Sequence, residues 1–160
     1  DIYVLNLKTN TIAVFANRST IDLATGLPVG PALTSPDNLA IDHDGNIYII
    51  EDRPGGSDNA IWFDRDLNRD GDLTDAGEGL GRWASNGTVG SEFTGLYFDP
   101  RNKRRAGVNI QHPDSGNDRT IEITLPRGHG DDDDCRDHRH GGDDDDDDED
   151  GRSPHGRGGR

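Results

Sequence analysis

Hydrophobic residues come in short runs along this chain, most of them at every second position, and no stretch of ten or more residues carries the spacing of an amphipathic helix. Residues 2–8 and 11–16 alternate well enough to predict a hairpin turning at Thr9-Asn10. Residues 17–35 carry Gly26, Pro28, Gly30 and Pro31 and read as a long loop. Leu39 and Ile41 then alternate with Ala40 and Asp42, the period of a half-buried strand. His43-Asp44-Gly45-Asn46 supplies turn chemistry, with Gly45 free to take positive φ. Ile47, Tyr48, Ile49 and Ile50 follow as an apolar, β-branched run typical of a buried strand. Further strands are expected at 60–63, 81–84, 93–98, 107–111 and 119–125, the last with Ile121, Ile123 and Leu125 on one face. Residues 64–79 and 112–117 read as loops, and 99–102 as a turn.

The pattern predicts an all-β chain of short antiparallel strands. Two stretches share one plan, Pro36-Asp-Asn-Leu-Ala-Ile-Asp-His-Asp-Gly-Asn-Ile-Tyr-Ile-Ile50 and Glu92-Phe-Thr-Gly to Asn109-Ile110. Each is a polar lead, an apolar strand, an Asp-led turn and a second apolar strand. They begin about 55 residues apart, close to the spacing of propeller blades. Two blades do not close a propeller. The expectation is an incomplete β-propeller whose sheet is completed by further blades of a longer protein or by other copies of the chain. If neither completes it, its open edges would be prone to strand pairing and filament growth. A small β-sandwich is the alternative architecture.

Composition divides the chain. Residues 131–160 contain no Leu, Ile, Val, Phe, Tyr or Trp, and Cys135 is their one residue of the hydrophobic class. Such a segment cannot bury enough apolar surface to offset its ordering entropy. We expect residues 1–128 to fold and 129–160 to form a disordered Asp/Gly/His/Arg tail. Thirteen of the 32 acidic and 5 of the 17 basic residues lie in 131–160, leaving that stretch at −8 and the rest at −7. Both parts repel nucleic acid and anionic membrane and attract divalent cations. Neither a signal peptide nor an apolar run of transmembrane length is present, so no membrane insertion is expected. The chain lacks Met and begins directly in a strand, as a processed product or fragment would, with any export signal upstream. A single cysteine excludes an internal disulfide framework; an intermolecular bridge or a free thiol at Cys135 stays open.

Three groups of residues carry candidate chemistry. Asp66-Leu-Asn68-Arg-Asp70-Gly71-Asp72-Leu-Thr74-Asp75 places oxygen side chains at alternate positions, with Gly71 at the sharp turn, as a calcium loop does. The pattern expects Glu at 77, which is Gly, and Glu78 comes one residue late. With no flanking helices the loop is not an EF-hand, and a merely solvated acidic loop is the alternative. Glu51 and Asp52 end a buried strand ahead of a Gly-rich loop, where carboxylates suit a hard cation or simply meet water. Glu92 opens one strand and His112 follows its partner, so both could lie at one end of a blade and hold a metal or a substrate. A histidine in a Pro-containing loop is more often only a turn residue, which is the alternative. In the tail, Asp131–Asp134, Asp143–Asp150, His138 and His140 suit weak, multivalent cation association, or only solubility.

The motifs Pro-Asp-Asn-Leu, Glu-x-Thr-Gly and Asn-x-Gln-His-Pro, in that order, resemble the C-terminal blades of PhoX-type alkaline phosphatases over about residues 35–113. That resemblance implies a secreted or periplasmic bacterial β-propeller that hydrolyses phosphomonoesters at a calcium and iron cluster. It makes Glu92 a metal-binding glutamate, places Glu51 or Asp52 at an often acidic strand end, and leaves Asn38 and His112 as substrate-binding candidates. Two departures accompany it. Many such phosphatases carry a phosphate-gripping Arg where this chain has Gly90, and their iron-binding cysteine lies in an earlier blade that Cys135 does not replace. The expectation is therefore a secreted, calcium-binding structural or surface protein. Iron and phosphomonoesterase activity would belong only to a complete parent enzyme, and this chain by itself is not expected to be active.

Overall fold

The computed structural model describes residues 1–53 and 59–126. The expected boundary near residue 128, the acidic tail and Cys135 lie outside the described residues. Nine strands are present among them: β1 (Ile2–Asn6), β2 (Thr11–Ala16), β3 (Pro36–Ile41), β4 (Ile47–Glu51), β5 (Asn59–Arg65), β6 (Gly79–Asn86), β7 (Glu92–Phe98), β8 (Arg105–Gln111) and β9 (Arg119–Thr124). A single 3₁₀ turn, Gly30–Ala32, interrupts the long loop before β3. No described helix is long and apolar enough to cross a membrane.

The strands form three antiparallel sheets, β1-β2, β3-β4-β5-β6 and β7-β8-β9, which close no ring among the described residues. The middle sheet separates two hydrophobic cores. Strand alternation sends Ile49, Ala60 and Trp62 to one side, where they meet Ile2, Phe15, Leu33 and Leu80. It sends Tyr48, Ile50 and Ile61 to the other, against Phe93, Leu96, Val108 and Ile110 of β7 and β8. The run Ile47–Ile50 is unbroken because β4 is covered on both faces, which removes any need for polar alternation.

Two expectations change. Leu39 and Ile41 are 56% and 64% exposed, whereas Ala40 packs on the core. The pleat is as the pattern says, but β3 is the sheet's edge strand and its large residues face outward. The strands around the acidic loop are also longer than their apolar runs. The β5–β6 ladder continues to Asp64↔Leu80 and Arg65↔Gly79, so the loop is confined to about residues 66–78. Buried Asp64 is accommodated because its Oδ1 accepts the Ile47 backbone N–H at 2.7 Å. Burial, with Asp66 and Asp42 nearby, nonetheless pushes the Asp64 carboxyl above the usual carboxylate range. Gly81 admits the Phe63 ring, since a Cβ at residue 81 would lie 2.2 Å from Phe63 Cε1.

This layered arrangement makes Ile49 an anchor of the first core, with no solvent exposure. Ile49→Ala is expected to lower the unfolding free energy by about 2–5 kcal/mol in urea denaturation, the usual cost of a large-to-small change at a closed site. A loss below about 0.5 kcal/mol, the scale of a surface substitution, would contradict burial of the central sheet on both faces.

Candidate functional site

The two carboxylates that end β4 have different fates. Glu51 falls in register with Ile49 and turns to the first core, where it is 1% exposed. Its Oε1 accepts N–H groups from Thr34 at 2.8 Å and from the Trp62 indole at 3.0 Å. Its Oε2 accepts the Ala60 N–H at 2.9 Å. Three donors therefore engage this carboxylate and satisfy its burial. Asp52 falls in register with Ile50 instead and comes off the strand on the side of β7. Its N–H reaches back to Ser35 O at 3.0 Å.

There Asp52 meets Glu92, the first residue of β7. A side-chain hydrogen bond from one carboxyl to the other raises the Asp52 pKa, burial and the Glu92 charge raise it further, and His112 partly offsets them. Two carboxyls this close compete for one proton, so ionising both is unfavourable until positive charge arrives. Around Glu92 the partners come from the end of β8. Gln111 Nε2 donates to Glu92 Oε1 at 2.5 Å, and His112 Nε2 lies 3.6 Å from the same oxygen. His112 takes a left-handed φ of 55°, a turn geometry uncommon for a side chain of its size, and its N–H donates to Asp118 Oδ1 at 2.9 Å.

Asn38 of β3 joins the same end of the molecule. Its Oδ1 accepts the Thr94 hydroxyl at 3.1 Å and the Gly95 N–H at 3.3 Å, while its Nδ2 donates to Asp37. Thr94 is two residues beyond Glu92 on β7, hence on the same face of that strand. The structure thus brings together Asp52, Glu92 and His112, with Asn38 linked through Thr94, and separates Glu51 from them. Gln111 and Thr94 are additional members. Both stood inside the motifs Asn-x-Gln-His-Pro and Glu-x-Thr-Gly, and only the tertiary contacts give them partners.

The acidic loop is a second, separate cluster that holds itself together. Asp66 accepts the backbone N–H groups of Arg69 and Gly71 at 2.6 and 3.1 Å. Asn68 Oδ1 accepts the Asp70 N–H at 3.0 Å, Asp70 Oδ1 the Asp72 N–H at 3.1 Å, and Asp72 Oδ1 the Thr74 N–H at 2.9 Å. Hydrogen bonds from the Thr74 hydroxyl and N–H hold Asp72 below the usual carboxylate range. Asn68 Nδ2 sits between Asp70 Oδ2 at 3.1 Å and Asp75 Oδ2 at 2.8 Å. Glu78, buried at the base, accepts the N–H groups of Leu67 and Asp75 at 2.9 and 3.2 Å. Oxygens of Asp70 and Asp75 therefore flank one point, and the Asn68 amide stands there; a cation bound between them would have to displace it.

Among the described residues, no three His, Cys, Asp or Glu side chains converge as a metal-holding group. The Asp52–Glu92 pair, with the oxygens of Asn38 and Thr94 nearby, has the donor chemistry of part of a hard-cation site. Gly90 accounts for the missing arginine. It has φ +77°, and a Cβ there would lie 2.0 Å from Asp114 Oδ1. The space is filled by an acidic side chain, so a guanidinium could not enter from this position without moving Asp114.

A protein of antiparallel meanders with a carboxyl pair and an adjoining histidine at one strand end is, in class, an all-β protein with the makings of a cation site. The sequence matches the alkaline phosphatase PhoX family over residues 6–114, and the chain belongs to that family. No curated protein and no solved structure matches it.

Two outcomes test this geometry. Because Asp52 is raised, the folded chain holds that proton more tightly than the unfolded chain does. Its stabilising increment is fully present below about 3.8 and is lost as pH rises through the raised value. In ion-free buffer, Glu92→Gln should raise the melting temperature at neutral pH and flatten that pH dependence relative to wild type. An unchanged difference between the two proteins across the acid range would show that the carboxyls do not interact. Glu51→Ala, by contrast, orphans two buried donors, the Ala60 N–H and the Trp62 indole, at about 1–3 kcal/mol each, and also releases the part-buried Thr34 N–H. Calorimetry should show a strong loss of stability, with any calcium-induced shift retained.

Proposed function

We propose that this chain is a calcium-binding, blade-like part of a secreted or periplasmic bacterial PhoX-type β-propeller, with a structural or surface role. The observation that carries this reading is the Asp52–Glu92 carboxyl pair, brought together from two different sheets, where the Glu92 side chain and burial raise Asp52. A divalent cation there would neutralise the pair and join the end of β4 to the start of β7. Asp52 and Glu92 would be its carboxylate ligands, with Asn38, Thr94, Gln111 or His112 as neutral partners. The loop of Asp66, Asn68, Asp70, Asp72, Asp75 and Glu78 is the second proposed calcium position.

Blade-like organisation is supported by the two consecutive meanders, β3-β4-β5-β6 and β7-β8-β9, each opening with the shared sequence plan. Their outer strands leave edges for the remaining blades of a longer protein, or for other copies of the chain, to pair with. In the second case the chain would be a strand-pairing filament subunit. Nucleic acid does not fit a surface of net charge −15.

A second reading, the C-terminal part of a calcium- and iron-dependent phosphomonoesterase, is favoured by family membership. In such a parent, hard cations would supply the positive charge that phosphate oxygens need. Asp114 beside Gly90, in the space a guanidinium from that position would cross, favours the non-hydrolytic role for this chain.

Calcium binding to the native state alone must raise the melting temperature; free calcium at about 100 times its Kd adds about 2.7 kcal/mol per site. We expect a calcium-dependent rise that is reversed by chelator, reduced in Asp52→Asn/Glu92→Gln, and separately reduced in Asp70→Asn/Asp75→Asn. A melt indifferent to calcium would overturn the proposal. Hydrolysis of a chromogenic phosphate ester by the fully metallated parent assembly, lost on Glu92→Gln, would instead establish the second reading.

A further inference from the structure

We propose that Asn59 is a positioning residue that sets the separation of Asp52 and Glu92 by bracing the backbone on both sides of the pair. This rests on the reading of that pair as a cation site. The β4–β5 ladder ends at Ile50↔Ile61, so the chain beyond Glu51 has left the β5 register. On the β3 side Asp52 is still tied, through Ser35 O. Facing β5, the tie is Asn59. Its Nδ2 donates to Arg53 O at 3.2 Å and to Ser91 O at 2.6 Å. Arg53 immediately follows Asp52, and Ser91 immediately precedes Glu92. The two protons of one amide nitrogen thus bridge the sheet that carries one carboxyl to the sheet that carries the other.

The brace is itself rigid. Asn59 has no solvent exposure and pairs with Asn86 across β5 and β6. Asn86 Nδ2 donates to Ser91 Oγ at 2.7 Å, and Ser91 Oγ donates to Thr88 O at 2.8 Å. Ser91 is therefore fixed from two directions. Asn59 Oδ1 is buried and has no hydrogen-bond partner among the described residues. An unused buried acceptor is destabilising, a cost that this amide carries alongside its two donated bonds. Its two donated bonds do what a stabilising apolar residue could not: they hold two strand ends at the spacing at which their carboxyls meet. Supporting contacts of this kind govern ion affinity by orienting the ligands, and losing one costs about 10–100-fold.

The test uses the full chain, with calcium as titrant, at a temperature where circular dichroism shows every variant folded. Asn59→Ala should weaken calcium binding at the Asp52-dependent site at least about tenfold. Terbium luminescence lifetimes in H₂O and D₂O should show additional coordinated water as a carboxylate withdraws. Asn86→Ala disturbs the same buried network through Ser91 Oγ without touching the Arg53 brace, and should destabilise while leaving calcium affinity in place. If Asn59→Ala does not fold, Asn59→Ser, which can keep at most one of the two bonds, gives the same reading. Equal weakening by Asn59→Ala and Asn86→Ala at matched stability would overturn the proposal. If wild type shows no Asp52-dependent calcium binding, the cation reading falls and a double-mutant cycle decides the brace. The ion-free, neutral-pH gain from Glu92→Gln should vanish in the Asn59→Ala background, and its persistence there would overturn the proposal.

Discussion

Everything in this molecule depends on a central pair of strands that have no solvent face. β4 and β5 put Ile49, Ala60 and Trp62 into one core and Tyr48, Ile50 and Ile61 into another. Each core needs its own cover, so the β1-β2 hairpin with its long loop must pack on one side and β7-β8-β9 on the other. The aromatic cluster of Tyr48, Trp83 and Phe98 closes the second interface, with Tyr48 and Phe98 ring centroids 4.7 Å apart. Burial, with Asp42 beside it, pushes the Tyr48 phenol up to about 12, so it stays a neutral donor to Asp42.

The same two-sided burial decides the chemistry at the strand ends. A single step along β4 separates Glu51, which is spent on three N–H donors inside the first core, from Asp52, which is delivered to the second interface and to Glu92. The contrast with the acidic loop is physical. In the loop, backbone N–H groups and the Asn68 amide already answer most of the negative charge, whereas the Asp52–Glu92 pair is answered by one glutamine and a histidine at its edge. The PhoX family match spans residues 6–114, and at Gly90 the backbone turns left-handed with Asp114 Oδ1 in the space a Cβ would take, so a side chain there would have to move Asp114.

Much of the fold was legible because period-2 patterning survives wherever one face is buried and becomes a continuous apolar run where two are. The strands of the 2–16 hairpin and the buried strand at Ile47–Ile50 stand where the pattern puts them, and no α-helix occurs among the described residues. Strand limits around the acidic loop were less legible, since ladder hydrogen bonds carry β5 and β6 past their apolar residues through Asp64 and Gly79. The outward facing of Leu39 and Ile41 was hidden for a related reason: alternation shows that a strand has two faces and leaves open which face finds a neighbour.

For the site, the sequence by itself determined which residue types could act. It marked Glu51, Asp52, Glu92 and His112 by residue type at strand ends and the Asp66–Glu78 loop by its alternating oxygen side chains, while Asn38 entered through the family resemblance. Only the tertiary structure decided which of them meet. It paired Asp52 with Glu92 across two sheets, buried Glu51 against Trp62, and recruited Gln111 and Thr94. It also placed Asn59 between Arg53 and Ser91, a role no local pattern announces. Partnership across sheets depends on how separate strands pack, and the period of a single strand carries no record of that.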